Sequence, residues 1–194
     1  MRATLRPHAD CARAGAVRLD VDLAWAAPGL VHLRYVLAGA DGALVVPPFD
    51  RAERTDGLWR TTCFELFIRP VPAMAPARGH GVSGPYWEVN LAPSTRWAAY
   101  HFDEYRAGMA DEARLPAPSI AVTHMGQDFA LSAMVDVRGI APLADARCWH
   151  IGLSAVLDLG DGNRAYWALN HADGPPDFHH GDCFAGQLAA PEDL

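Results

Sequence analysis

The chain has 194 residues, of which 51% are hydrophobic and 20% charged, with a net charge of -7. That length can bury a core without disulfide or metal staples, so one domain over residues 1–194 is expected. The negative balance, with no Lys/Arg run to offset it, argues against nucleic acid and anionic membranes as partners.

The amino end, MRATLRPHADCARAGAVRLDVDL, is basic but has no apolar run of signal-peptide length, and no stretch approaches the roughly 18 apolar residues of a membrane span. A cytoplasmic protein is therefore expected, with Cys11, Cys63, Cys148 and Cys183 as reduced, mostly buried thiols.

Residues 17–25, VRLDVDLAW, alternate apolar and polar side chains, and so do residues 30–38 after the Pro28-Gly29 turn. Period two marks half-buried strands, and the pair reads as a hairpin. A short strand is expected at 44–46 and a charged loop at 47–57.

The segment LWRTTCFELFIRP, 58–70, is the strongest strand signal: Phe64, Leu66 and Ile68 face one way, and Cys63, Glu65, Phe67 and Arg69 the other. A Pro/Gly-rich loop to residue 85 separates it from strands at 86–91 and from Arg96 onward. Residues 104–113 suggest a helical turn. A hairpin at 119–137 turns on Gly126-Gln127, a short helix is expected within 139–146, and strands follow at 148–157 and 165–170. About ten short strands with almost no amphipathic helix predict an all-β, two-sheet antiparallel sandwich of immunoglobulin-like or jelly-roll type with long loops.

No phosphate-binding Gly loop, nucleophile elbow or HExxH zinc motif occurs, so enzymatic chemistry is not the first reading. The stretch NHADGPPDFHHGDCF, 170–184, concentrates metal-capable side chains, and a metal-dependent hydrolase or lyase using Asp177, His179, His180 and Asp182 is one alternative. A protein-interaction domain is another.

The preferred reading is a binding face. Of the six tryptophans, Trp25, Trp87 and Trp149 share parity with apolar neighbours and belong to the core. Trp59 and Trp167 instead lie near polar groups, among them Arg60, Glu65 and Asn170. Aromatic rings give flat area to stack on, and carboxylate, amide and guanidinium groups direct hydroxyls, which suits sugar rings. Six residues of straight strand would hold Trp59 and Glu65 roughly 20 Å apart. Both reach one small ligand only if the chain bends between them.

The runs WRTTCFELFIRP (59–70), YWEVNLAPSTRWAAYHFDEYRAGM (86–109) and YWALNHADGPPDFHHGDCF (166–184) resemble the DOMON-like proteins related to family 9 carbohydrate-binding modules. The resemblance extends over about 17–188. It implies a β-sandwich that binds a saccharide without catalysis and holds the sugar end between two tryptophans helped by an acid, an amide and an arginine; no residue spacing supports a haem or metal site, so no cofactor or metal is expected. Carried over, these are Trp59 and Glu65, then Asn90 and Arg96, with Trp167 as the second platform.

Overall fold

Alternating sequences become two sheets. The computed structural model describes residues 1–11, 17–39, 44–71, 84–125 and 128–191. Its strands are β1 (Arg2–Thr4), β2 (Arg6–Pro7), β3 (Arg18–Ala27), β4 (Leu30–Ala38), β5 (Cys63–Val71), β6 (Tyr86–Leu91), β7 (Trp97–Phe102), β8 (Ala110–Asp111), β9 (Ser119–Met125), β10 (Asp128–Asp136), β11 (Cys148–Asp158), β12 (Arg164–Ala168) and β13 (Gly186–Ala189); helix α1 is Ala141–Ala144.

The smaller sheet runs β1-β3-β4-β10-β9. The larger runs β2-β12-β11-β5-β6-β7-β8, with β13 also on β11, beyond the end of β12. Every strand pairing is antiparallel.

The inner faces of both sheets meet in the main core. Leu19, Val21 and Leu23 of β3 and Val31, Leu33, Tyr35 and Leu37 of β4 lie opposite Phe64, Leu66 and Ile68 of β5 and Trp149, Ile151 and Leu153 of β11, each no more than 1% exposed. Phe64 stacks on Phe129 with ring centroids 5.8 Å apart, and the Tyr35 hydroxyl donates to the Glu65 carbonyl at 2.6 Å. That bond ties the small sheet to β5. At the margin the amino end passes from one sheet to the other: β1 pairs with β3, β2 with β12, and Leu5 between them is 2% exposed in the core.

Three expectations change. Residues 44–46 form no strand; Val45 donates to the Asp158 carbonyl and accepts from the Thr62 hydroxyl, which pins it to the end of β11 without a ladder. Residues 104–113 form no helical turn, because Glu104 and Ala107 bridge in a tight reversal with Arg106 at φ 53° and Gly108 at φ 65°, and the chain then enters β8. The strand expected over 58–70 starts only at Cys63, after a 3-10 turn at Leu58–Arg60. Gly126-Gln127 lies outside the described residues, although Met125 and Asp128 pair as a hairpin there would require.

Candidate ligand site

Side chains of the other parity on the large sheet build the site. Antiparallel register places Ser154, Glu65, Asn90 and Ala98 side by side across β11, β5, β6 and β7, and Gly152, Phe67, Glu88 and Tyr100 in the next row. Opposed residues in such ladders lie about 4.5–5.5 Å apart at Cβ, so these groups share one surface. A methyl group at Gly152 would meet the Phe67 Cβ at 3.1 Å and the Cys183 carbonyl at 3.3 Å. Only glycine lets β11 and the tail approach Phe67 so closely.

This outer face is a second core rather than a solvated surface. Leu58, Cys63, Phe67, Tyr86, Tyr100, Phe102, Phe178 and Phe184 pack together, all buried. The 3-10 turn packs against β5, β6 and β11 at one end, while Phe178, His179 and Phe184 from the tail cover the other. Gly57 at φ 73° permits the sharp entry into the turn. The chain thus does bend between Trp59 and Glu65, and it sets the Trp59 ring edge-on to Tyr100 with centroids 6.1 Å apart. Tyr100 is the cross-strand neighbour of Glu88.

Polar groups form the floor under these aromatics. Glu65 is 3% exposed, Glu88 5% and Asn90 0%, whereas Trp59 keeps 38%. The Ser154 hydroxyl donates to Glu65 Oε2 at 2.9 Å, and Asn90 Nδ2 donates to Glu88 Oε1 at 2.7 Å. Asn90 Oδ1 is buried with no hydrogen-bond partner. Such an atom costs about 1–3 kcal/mol unless something donates to it.

The electrostatics follow from burial. Loss of solvent, then the charge of Glu88, pushes the Glu65 carboxyl well above the carboxylate range, against the Ser154 hydrogen bond. Loss of solvent also raises Glu88, opposed by the Asn90 amide and Arg106. Two close acids of like charge away from water favour holding a proton between them.

His179 stands at the edge of this pair, its Nε2 3.8 Å from Glu88 Oε2. The Tyr86 hydroxyl accepts from the Arg106 backbone N–H at 3.2 Å and is hydrogen-bonded to the His179 imidazole at Nδ1, 2.8 Å away. Burial, then Arg106, lowers its pKa to about 4, with Asp177 opposing.

This predicts an acid sensitivity. The unfolded chain protonates His179 near 6.5 and the folded chain near 4, so its contribution is complete above about 6.5 and is lost as pH falls toward 4, on the order of 3 kcal/mol in all. In urea titrations at pH 7 and 4.5, His179→Gln should lose less stability on acidification than the unaltered protein. Equal losses would refute this assignment.

Several residues named from sequence lie elsewhere or are otherwise engaged. Trp167 is 3% exposed in the main core: it pairs with Ala155, whose side chain faces inward, so the ring lies on the wrong side of the sheet to serve as a platform. Arg96, at the β6–β7 turn, is bound by Asp50 at 2.6 Å and Glu53 at 3.4 Å. The tail cluster does not converge. Asp177 takes Tyr105 and Arg106, His179 takes Tyr86, and His180 Nδ1 accepts from its neighbour's backbone at Asp182. Among the described residues no group of three or more His, Cys, Asp or Glu could hold a metal.

The sequence reading passed over Glu88, Ser154 and Tyr100, and named His179 only as a possible metal ligand. Glu88 had a usable signal, since YWEVNL puts it on the same strand face as Asn90. A separate cavity of about 320 Å³, lined by Trp25, Pro28, Gly29, Ala144, Ala146, Ala190 and Pro191, has no titratable side chain and is not part of the floor.

A solved structure shares the outline. It is a family 9 carbohydrate binding module from Caldicellulosiruptor kristjanssonii in complex with glucose, at 9% identity and a TM-score of 0.48, covering 92% of this chain and 80% of that one. No family model matches the chain, and no curated protein does. No helix among the described residues is long and apolar enough to cross a membrane.

Proposed function

We propose that the protein binds a saccharide or sugar-like small molecule, without chemistry, on the outer face of the large sheet. The observation that carries this reading is the buried polar row in an aromatic shell, with Asn90 Oδ1 left unbonded. Two buried acids beside an amide oxygen without a donor are costly unless they meet a polar ligand. Glu65, Glu88, Asn90 and Ser154 supply directed hydroxyl contacts. Trp59, the most exposed ring at the site, offers the stacking face. A ligand reaching the row from the Trp59 side passes the Leu58–Arg60 turn, which packs on β5, β6 and β11.

Calorimetric titration with mono- and oligosaccharides tests this. Dissociation constants on the order of micromolar to millimolar are expected, with Trp59→Ala weakening the best ligand at least about tenfold, the value of a lost stacking contact near 1.4 kcal/mol. Unchanged affinity in Trp59→Ala would remove Trp59 from the site, and absence of heat with every sugar would defeat the reading itself.

A further inference from the structure

Acceptors outnumber donors on the floor. Glu65 and Glu88 offer four carboxylate oxygens and Asn90 Oδ1 a fifth acceptor, whereas the donors given to them are the Ser154 hydroxyl and Asn90 Nδ2. Among the described residues no nearby guanidinium pairs with either acid, although the buried Arg69 Nε has no hydrogen-bond partner. Arg106 binds Asp177 at 2.7 Å, Arg54 binds Asp111 and Asp56, and Arg69 lies 4.0 Å over the Phe184 ring. His179 is neutral, its Nε2 too far from Glu88 for a hydrogen bond.

A neutral hydroxyl brings one donor and further lone pairs, so it adds acceptors to a place already rich in them. An ammonium group brings three donors, no acceptor and a positive charge.

We propose that the ligand presents a primary ammonium group to Glu65, Glu88 and Asn90 Oδ1, as an amino sugar does. This rests on the outer face being the saccharide site and adds which saccharides it takes. The ammonium replaces the proton that the two acids otherwise hold, so binding releases protons to solvent. The other titratable or charged groups facing the pair are Cys63 on β5, Tyr35 from the small sheet, Tyr100 and Asp56 toward the turn, and Tyr86, His179 and Arg106 toward the tail.

The test is calorimetry at pH 6.5 with glucose, N-acetylglucosamine, glucosamine and cyclohexylamine, each in two buffers of different ionisation enthalpy. Glucosamine should bind at least about tenfold more tightly than N-acetylglucosamine and release protons. Glu65→Gln and Glu88→Gln should erase that preference for glucosamine over N-acetylglucosamine, and Ser154→Ala checks the floor with a smaller change. Glucosamine binding no better than its N-acetyl form would overturn the ammonium proposal and leave the sugar reading standing. Cyclohexylamine binding as tightly as glucosamine would keep the ammonium contact and defeat the sugar reading. Heat from calcium chloride that vanishes in both Gln variants would make the occupant a metal ion and overturn the proposal.

Discussion

Trp149→Ala is expected to destabilise the fold by about 3–5 kcal/mol, the range for truncating a buried large aromatic. Trp149 is 0% exposed, lies 4.5 Å from Trp25 between ring centroids and donates its indole N–H to the Leu143 carbonyl at 2.9 Å. The alanine would leave a void where β11 meets α1 and remove one donor from that carbonyl, which keeps the Ala146 N–H at 3.4 Å, so the void is the main cost. For a domain of this size the melting temperature should fall by roughly 6–20 °C. A drop within about 2 °C would mean that this corner collapses around the smaller side chain.

The second large effect reverses the usual direction of a mutation. Glu65 and Glu88 keep their protons in the fold to higher pH than in the unfolded chain, whose carboxyls ionise near 4.5. The folded state therefore binds more protons above that pH, and stability must fall as pH rises through the neutral range, by about 1.4 kcal/mol for each unit by which a site is raised. Glutamine keeps the shape without the charge. Glu65→Gln and Glu88→Gln should match the unaltered protein near pH 4 and exceed its stability at pH 8. Urea midpoints at the two values decide it: a variant that is weaker at pH 8 would show the carboxylate charge to be stabilised where it sits. His179 works in the other direction, costing stability on the acid side, so the two effects confine the optimum between them.

Much of the fold was legible because period two survives in the strands. VRLDVDL and LVHLRYVL place every second residue in the core, and Phe64, Leu66 and Ile68 fall on the inner face as their alternation requires. The sandwich follows from these strands and the scarcity of helix. Trp25 was read as core and lies at its margin, half-buried, because the strand end bends where its register with β4 shifts.

The site was legible only in part. Glu65 and Asn90 prove to be direct cross-strand neighbours, a pairing that no local spacing contains because residues 72–83 and the register of β6 intervene. Trp167 failed by parity: in RAYWA its inward neighbours are Ala165 and the core, while Tyr166 takes the outer face. The tail looked like a metal run because it gathers His and Asp. Folded, it lays those groups out separately against Tyr86, Arg106 and its own backbone, while its phenylalanines do the covering. Sequence shows which residues are near each other along the chain, and the tail's chemistry depends on what lies beneath it.

The tail's position over β5 and β6 also constrains how the protein comes into being. Its cover residues Phe178, His179 and Phe184 come near the end of a 194-residue chain, whereas the strands they close are complete by Phe102. During synthesis those strands must wait with Phe67, Tyr86 and Phe102 facing water until translation has passed residue 184. A chain truncated just before Phe178 would keep β11 and β12 for the main core but leave Phe67, Tyr86 and Phe102 without their cover, a form that a holding chaperone would be expected to grip.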